Sequence, residues 1–157
     1  MRLSNNQITE IKGLEHLTKL TFLDLSENKI TEIKGLGNLV NLQELRLSNC
    51  QISEIKGLET LENLRILGLQ LNRIREIKGL DKLKNLEELH LNGNCIKEVK
   101  GLENLENLTH LLITDNKISE IKDYTVFPSK LEYIEIDGNP LPDIIIGELH
   151  EKYNGVF

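Results

Sequence analysis

The chain has few cysteines and no long apolar segment, and each of these deficits excludes a class of protein. Two cysteines among 157 residues are too few for a disulfide framework. No apolar run approaches the roughly 20 residues of a transmembrane helix, and the N-terminus has no signal-peptide pattern. We therefore predict one cytoplasmic domain with no membrane partner, although a shortened N-terminus could hide a leader.

The charge balance and the missing motifs argue against nucleic-acid binding and catalysis. The chain has 25 acidic and 19 basic residues, a net charge of −6, and its basic residues are dispersed among acids. A nucleic-acid backbone demands a basic footprint. There is no Gly-rich phosphate loop, no HExxH and no GxSxG motif. We predict a non-enzymatic protein with no cofactor, no metal site and no nucleic-acid partner.

The chain repeats itself every 22 residues, which is the sequence signature of a solenoid. The first position of the repeat is Leu20, Leu42, Leu64, Leu86 and Leu108. Apolar residues recur at the fourth, sixth, eleventh and fourteenth positions, and the ninth position is Asn28, Cys50, Asn72, Asn94 and Asn116. Most of the sequence therefore describes a scaffold, and function is to be sought where the repeats differ.

The pattern LxxLxLxxN-x-I-x-x-I-x-G-L-x-x-L resembles the leucine-rich repeat and covers nearly the whole chain. It is similar to the 22-residue subclass found in a regulatory subunit of protein phosphatase 1, an axonemal dynein light chain, a spliceosomal protein and the bacterial internalins. The resemblance implies an α/β fold, a right-handed solenoid with a parallel sheet on its concave face and short 3₁₀ or helical turns on its convex face. It also implies protein binding through the concave face. The shared motif is the scaffold, however, so the resemblance does not identify which residues of this chain contact a partner.

The alternation in LxxLxL independently predicts a strand with one buried face in each repeat. Neighbouring parallel strands need a crossover, which the rest of each repeat supplies. The crossovers contain short segments such as GLENL, which we interpret as about one helical turn led in by a glycine that tolerates positive φ. Counting one strand per repeat, we predict seven strands.

The ends of the solenoid differ from its middle. We divide the single domain, residues 1–157, into a truncated first repeat (1–19), five full repeats (20–130) and a last strand with a C-terminal cap (131–157). A solenoid end without a cap exposes apolar surface, so Leu3 and Leu25 need cover from a partner or further sequence unless the chain starts abruptly. Residues 143–153 predict a capping helix in which Ile144, Ile145, Leu149 and Tyr153 share one face and Gly155 is a stop. A partner-binding amphipathic helix is the alternative.

The asparagine column and the two cysteines are predicted to be structural. A buried asparagine must be hydrogen-bonded, and its amide can serve the backbone of adjacent turns. Cys50 takes the place of one asparagine, which the resemblance allows, so we interpret it as a core residue. Cys50 and Cys95 lie two repeats apart, roughly 9–10 Å at about 4.8 Å per strand, beyond the roughly 7 Å Cα limit for a bridge. We expect free thiols and a reducing compartment.

Two columns of opposite charge run along the repeats. The thirteenth position is glutamate (Glu10, Glu32, Glu54, Glu76, Glu98 and Glu120), and the fifteenth is lysine (Lys12, Lys34, Lys56, Lys78, Lys100 and Lys122). An electrostatic docking strip is one interpretation. We favour a solvated, self-neutralised face whose exposed pairs each contribute about 0–1 kcal/mol.

The concave face carries the third, fifth and seventh positions, which the scaffold does not dictate. Its N-terminal part is charged, and its C-terminal part is apolar or aromatic, which marks an interaction site when contiguous. Gly68 leaves a hollow, and Leu71 extends the surface. We predict partner binding by the concave set: Phe22, Asp24, Glu44, Arg46, Ile66, Gly68, Glu88, His90, His110, Leu112, Tyr133 and Glu135.

Other interpretations of these residues remain open. Glu88, His90 and His110 could bind zinc or serve acid–base chemistry, but their spacing on a flat, wet sheet favours a polar contact surface. A sugar would prefer stacked aromatic residues, and Phe22 and Tyr133 lie at opposite ends of the sheet.

Besides a regulatory subunit or adaptor, the chain could be a structural module of a larger kinase, GTPase or surface protein, or a self-associating module. We expect a monomer rather than a homodimer.

Overall fold

A computed structural model describes residues 1–153. Its main feature is a parallel six-stranded sheet in which every strand pairs with the next one along the chain. The strands are β1 (Phe22–Asp24), β2 (Glu44–Arg46), β3 (Ile66–Gly68), β4 (Glu88–His90), β5 (His110–Leu112) and β6 (Tyr133–Glu135). A 3₁₀ helix, Tyr124–Val126, precedes β6, and helix α1, Asp143–Tyr153, ends the described chain.

The sheet confirms the parallel solenoid, but the prediction of seven strands is wrong. The first repeat contributes only an isolated bridge between Arg2 and Asp24. Two backbone bonds hold it there: Asp24 N–H donates to the Met1 carbonyl at 3.0 Å, and Leu3 N–H donates to the Asp24 carbonyl at 2.7 Å. The first repeat nevertheless covers the second. Leu25 is 1% exposed and Leu3 is half-buried, so Leu25 does not need the cover from a partner or further sequence that we expected.

The convex side consists of successive tight turns. In GLGNL, Leu39 N–H donates to the Leu36 carbonyl and Leu42 N–H donates to the Leu39 carbonyl, both at 2.9 Å. These three-residue steps are those of a 3₁₀ helix, but they do not overlap, so each segment remains a pair of turns. Gly35 has φ of 75°, and a Cβ there would collide with the Ile11 carbonyl one repeat earlier. The positive φ and this close approach together require glycine.

The core is a continuous stack of leucine and isoleucine columns between the sheet and the turns. The asparagine column borders this stack and, as predicted, binds backbone groups of its own and the preceding turn. The Asn28 amide nitrogen donates to the Leu25 carbonyl at 2.8 Å and to the Leu3 carbonyl at 3.0 Å, and its oxygen accepts from Ile8 N–H at 3.0 Å. Cys50 is buried in the same column, where its thiol contacts the Leu25 and Ser48 carbonyls at 3.6 and 3.7 Å. Cys50 and Cys95 are both free, and burial raises the pKa of the Cys50 thiol.

Helix α1 packs against β6, as a cap should. Leu149 and Tyr153 are buried, and the Tyr153 ring lies 5.5 Å from that of Phe127. The predicted inward face is confirmed at Ile145, which packs against the core, and wrong at Ile144, which is 69% exposed. Ile146, which was not predicted, packs against the core beside Ile145. The predicted stop at Gly155 lies outside the described residues. Within residues 1–153 no helix is long and apolar enough to cross a membrane.

Candidate protein interface

Each strand of the sheet has a buried central leucine or isoleucine between two side chains that face away from the core. The flanking residues are mostly half-buried, as the pattern of Phe22, Leu23 and Asp24 in β1 illustrates. The exceptions are Arg46, which is exposed, and Gly68, which is buried. The register places the third and fifth positions of successive repeats directly beside each other. Every residue of the predicted concave set therefore lies on one face of one sheet.

The N-terminal part of this face is built around Phe22. The guanidinium groups of Arg2 and Arg46 lie 5.8 and 5.7 Å from the centre of its ring, within cation–π range. Arg46 does not form an ion pair with Asp24, its neighbour in the sheet register. It binds Glu44 of its own strand at 2.6 Å instead. The charged N-terminal part of the face thus contains one ion pair, Arg46 with Glu44, while the Asp24 carboxylate has no ion-pair partner among the described residues.

The middle of the face contains a hollow of about 460 Å³, which we call the Gly68 hollow. Its lining is Ser4, Asp24, Ser26, Glu27, Arg46, Ser48, Ile66, Gly68, Gln70, Glu88 and His90. Gly68 contributes no side chain between the register neighbours Arg46 and His90, which explains why the sheet is recessed there.

A hydrogen-bonded row of side chains crosses three repeats beside the Gly68 hollow. Ser48 Oγ donates to Gln70 Oε1 at 2.6 Å, and the Gln70 amide nitrogen lies 3.2 Å from His90 Nδ1. An amide nitrogen can only donate, so His90 Nδ1 accepts. His90 Nε2 then carries the proton and donates to Glu88 Oε2 at 3.2 Å. The row fixes the orientation of Glu88 at the wall of the hollow.

The C-terminal part of the face is a small aromatic and aliphatic cluster. The rings of His110 and Tyr133 lie 5.5 Å apart, and Tyr133 hydroxyl donates to Glu135 Oε1 at 2.6 Å. That hydrogen bond, and burial after it, raise the pKa of Tyr133. Leu112 lies between His90 and Glu135 in the sheet register. Ile66 lies apart from this cluster, between Glu44 and Glu88, so the apolar residues form two groups and not one patch.

The residues considered for metal or acid–base chemistry do not converge. His90 is engaged by Gln70 and Glu88, whereas His110 Nδ1 lies 2.9 Å from Thr109 Oγ1 and its ring stacks on Tyr133. Within residues 1–153 there is no group of three or more His, Cys, Asp or Glu residues that could hold a metal ion. The arrangement offers hydrogen-bonding and stacking surfaces.

The structure also shows two features that were not predicted from the sequence: a column of residues with positive φ and a buried histidine in α1. The eighth position of every repeat has positive φ, in Asn5, Glu27, Asn49, Leu71, Gly93, Asp115 and Gly138. The abundance of Asn, Asp and Gly in that column was the available signal. Glu27 and Leu71 are the two members of the column that are not Asn, Asp or Gly. Leu71 is 60% exposed and contacts Gly93, beside the concave face. The second feature is His150 of α1, which is buried with Nε2 3.2 Å from Asp137 Oδ2.

The glutamate and lysine columns form the ladders that the sequence predicts. Three of the ion pairs join one repeat to the next, whereas Lys100 and Lys122 bind the glutamate of their own repeat. Lys34 binds Glu10 at 2.9 Å, and Lys56 binds Glu32 at 2.7 Å. Lys78 binds Glu54 at 2.9 Å in the same way. The hydrogen bond from the next repeat's lysine is the main cause of the lowered pKa of Glu10. The two columns of this strip neutralise each other, whereas on the concave face Asp24 has no ion-pair partner among residues 1–153.

The chain belongs to the leucine-rich repeat family. The family profile described as "Leucine Rich repeats (2 copies)" matches residues 1–38, 40–82, 62–104 and 84–128, in agreement with the solenoid and its asparagine column. Proteins with this fold are typically non-catalytic protein-interaction modules. No curated protein sequence matches the chain.

Solved structures of internalins from Listeria monocytogenes are similar to the chain, which confirms the internalin-like repeats. An internalin described as inlF has a TM-score of 0.84 and 26% identity, covering 98% of this chain and 46% of its own. Internalin C2 has a TM-score of 0.70 and 30% identity, covering 99% and 77%. The functional domain of InlJ, described as including a cysteine ladder, has a TM-score of 0.69 and 27% identity, covering 83% and 28%. The chain thus spans less than half the length of two of these three proteins.

Proposed function

We propose that this protein is a non-enzymatic interaction scaffold that binds a partner protein on its concave sheet face, as a regulatory subunit or adaptor. The observation that carries the proposal is the contrast between the two polar faces. The ladder strip repeats regularly and neutralises itself, whereas the concave face is irregular and presents stacked rings, apolar side chains and unpaired carboxylates. A surface that the scaffold does not require is free to specify a partner.

Two apolar residues are the best probes of this face. Ile66 and Leu112 are half-buried members of different groups on the concave face. Glutamate at position 66 would lie between Glu44 and Glu88 and destabilise the sheet by charge repulsion, so threonine is the better substitution. The variant Ile66→Thr/Leu112→Thr has β-branched residues, which suit strands, at both positions, while it removes apolar contact area.

The decisive experiment is an affinity pull-down from a lysate of the source organism. We expect a protein captured by the wild type to be lost, or weakened at least about tenfold, with Ile66→Thr/Leu112→Thr, since removing two interface anchors costs more than about 1.4 kcal/mol. The matched control is Val40→Thr/Ile144→Thr, which removes two exposed apolar side chains off this face, 44% and 69% exposed. Equal capture by both folded variants would refute binding through the concave face.

The oligomeric state separates partner binding from self-association. Light scattering after size exclusion should give the mass of a monomer, 18.0 kDa, for the wild type and both variants. A dimer that dissociates only in the concave-face variant would favour the self-associating module instead. The cytoplasmic location stays a prediction.

A further inference from the structure

The Gly68 hollow can accept a side chain from outside the molecule. It lies over strands β1 to β4 of the six-stranded sheet, and its volume of about 460 Å³ is within the range of small-ligand sites. Ile66 and the backbone at Gly68 give it an aliphatic floor, while polar groups line the rest. An occupant therefore needs an apolar stem and a polar end.

The charged side chains around the hollow favour an occupant whose polar end is positively charged. Asp24, Glu27 and Glu88 line it, and among residues 1–153 none of these carboxylates forms an ion pair with a lysine or arginine. Arg46 is the one cation in the described lining, and Glu44 binds it at 2.6 Å. The hollow therefore has an excess of negative charge that the chain itself does not neutralise.

Glu88 is held in place to receive a donor. His90 donates to Glu88 Oε2 at 3.2 Å and is itself oriented by Gln70. Glu88 Oε1 has no partner among the described residues, and Asp24 uses Oδ1 to accept from Ser26 N–H at 3.0 Å, which leaves Oδ2 available. Fixed carboxylate oxygens are the acceptors that guanidinium and ammonium groups bind most strongly.

We propose that the Gly68 hollow binds an arginine or lysine side chain of an extended basic segment in the partner protein. The aliphatic stem packs on Ile66 and Gly68, and the charged group binds Glu88, which neighbours Ile66 in the sheet register. Asp24 and Glu27, on the far side of the hollow, add to the negative charge that attracts it. This inference rests on the proposed function and adds the chemistry of the partner, a basic segment whose cationic side chain is the anchor.

Nuclear magnetic resonance with defined probe peptides tests the inference directly. The probe is the blocked pentapeptide Gly-Ser-Arg-Ser-Gly, with a lysine version beside it; the controls replace arginine with citrulline, which is neutral and nearly isosteric, or with glutamate. Titrated to about 10 mM, which covers the affinity of a single side-chain anchor, the arginine and lysine peptides should shift the backbone amides of Gly68, Gln70 and His90 and bind more weakly as salt rises.

Three variants locate the binding. Gly68→Leu fills the hollow, and the strand tolerates it because Leu112 occupies the same column and the nearest side-chain atom is the flexible end of Gln70. We expect it to abolish the shifts. Glu88→Gln keeps the volume and should weaken binding about fivefold, as the loss of one partly exposed charge pair implies. Glu98→Gln, in the ladder strip, should bind like the wild type.

The outcomes distinguish this inference from the proposed function. Any of four results would refute the inference that the Gly68 hollow binds a cationic side chain. They are shifts of equal size with the citrulline or glutamate peptide, shifts elsewhere on the surface, unchanged binding in Gly68→Leu, and no binding to any peptide. If that inference fails but Ile66→Thr/Leu112→Thr loses a partner in the pull-down, the proposed function stands without the cation-binding hollow. If the arginine peptide binds the hollow and no partner depends on the concave face, the proposed function fails instead.

Discussion

At the scale of single residues, the asparagine column links one turn of the solenoid to the next. The Asn94 amide nitrogen donates to the Leu91 carbonyl of its own turn at 2.9 Å and to the Leu69 carbonyl of the preceding turn at 3.0 Å. Its oxygen accepts from Ile74 N–H at 3.0 Å. The two carbonyls also accept from Asn116 and Asn72, respectively, so Ile74 N–H depends most on Asn94.

Replacing Asn94 with alanine should therefore destabilise the protein by about 2 kcal/mol, because it buries a backbone donor without an acceptor. Urea unfolding followed by circular dichroism measures this change. Asn94→Cys is the matched control, since Cys50 already occupies this column and the backbone N–H of Ile30, the counterpart of Ile74 N–H, donates to its sulfur; its loss should be smaller. Equal losses for both substitutions would contradict a role through hydrogen bonding.

At the scale of elements, α1 closes the end of the core that no further repeat covers among the described residues. Leu149 is fully buried, and Tyr153 packs on Phe127. The exposed Ile144 lies on the opposite side of the same helix. Because each repeat packs only on its neighbours, an uncovered last strand would expose apolar surface. The contacts of α1 with β6 thus favour the capping interpretation over the partner-binding helix.

Leu149→Ala should lower the free energy of unfolding by about 3 kcal/mol, which is typical for leucine truncated in a packed core. Ile144→Ala, in the same helix, should change it by no more than about 0.5 kcal/mol. Thermal and urea unfolding of the two variants give the comparison. If Ile144→Ala is as damaging as Leu149→Ala, the assignment of the buried face of α1 is wrong.

At the scale of the whole molecule, the charge ladder connects successive repeats outside the core. The pKa of Glu10, Glu32 and Glu54 is lowered by lysines one repeat later, and the pKa of Lys34, Lys56 and Lys78 is raised by glutamates one repeat earlier. A lowered carboxyl pKa stabilises the fold above its ordinary value of 4.5, and this contribution disappears as the pH falls. A raised lysine pKa stabilises below 10.5 and is lost at higher pH. The ladder's contribution is thus complete between these values.

Lys34→Met should return the pKa of Glu10 toward 4.5, because the hydrogen bond from Lys34 is the main cause of its shift. Carbon-detected carboxylate titration by nuclear magnetic resonance measures this change. Lys12→Met is the matched control: Lys12 lies 3.8 Å from Glu10, against 2.9 Å for Lys34, so its effect should be smaller. Equal shifts in both variants would show that repeat-to-repeat pairing does not control this carboxyl group.

Much of the architecture could be predicted from the sequence because a fixed period returns equivalent residues to equivalent places. The 22-residue spacing alone brings the leucine columns into the core, joins the asparagines to adjacent turns and aligns the charge ladders. The concave set could be located for the same reason, since LxxLxL decides which side chains face away from the core. Its role in binding a partner stays a prediction.

The details that the period does not repeat were decided by tertiary structure. Arg46 neighbours Asp24 in the sheet register and Glu44 on its own strand, and the side-chain geometry pairs it with Glu44. Helix α1 could have buried Ile144, but its packing on β6 buries the side that contains Leu149. The row from Ser48 through Gln70 and His90 to Glu88, and the hollow beside it, depend on distances across three repeats. Sequence periodicity assigns residues to a face, whereas their partners depend on rotamers and separations that only the packed repeats establish.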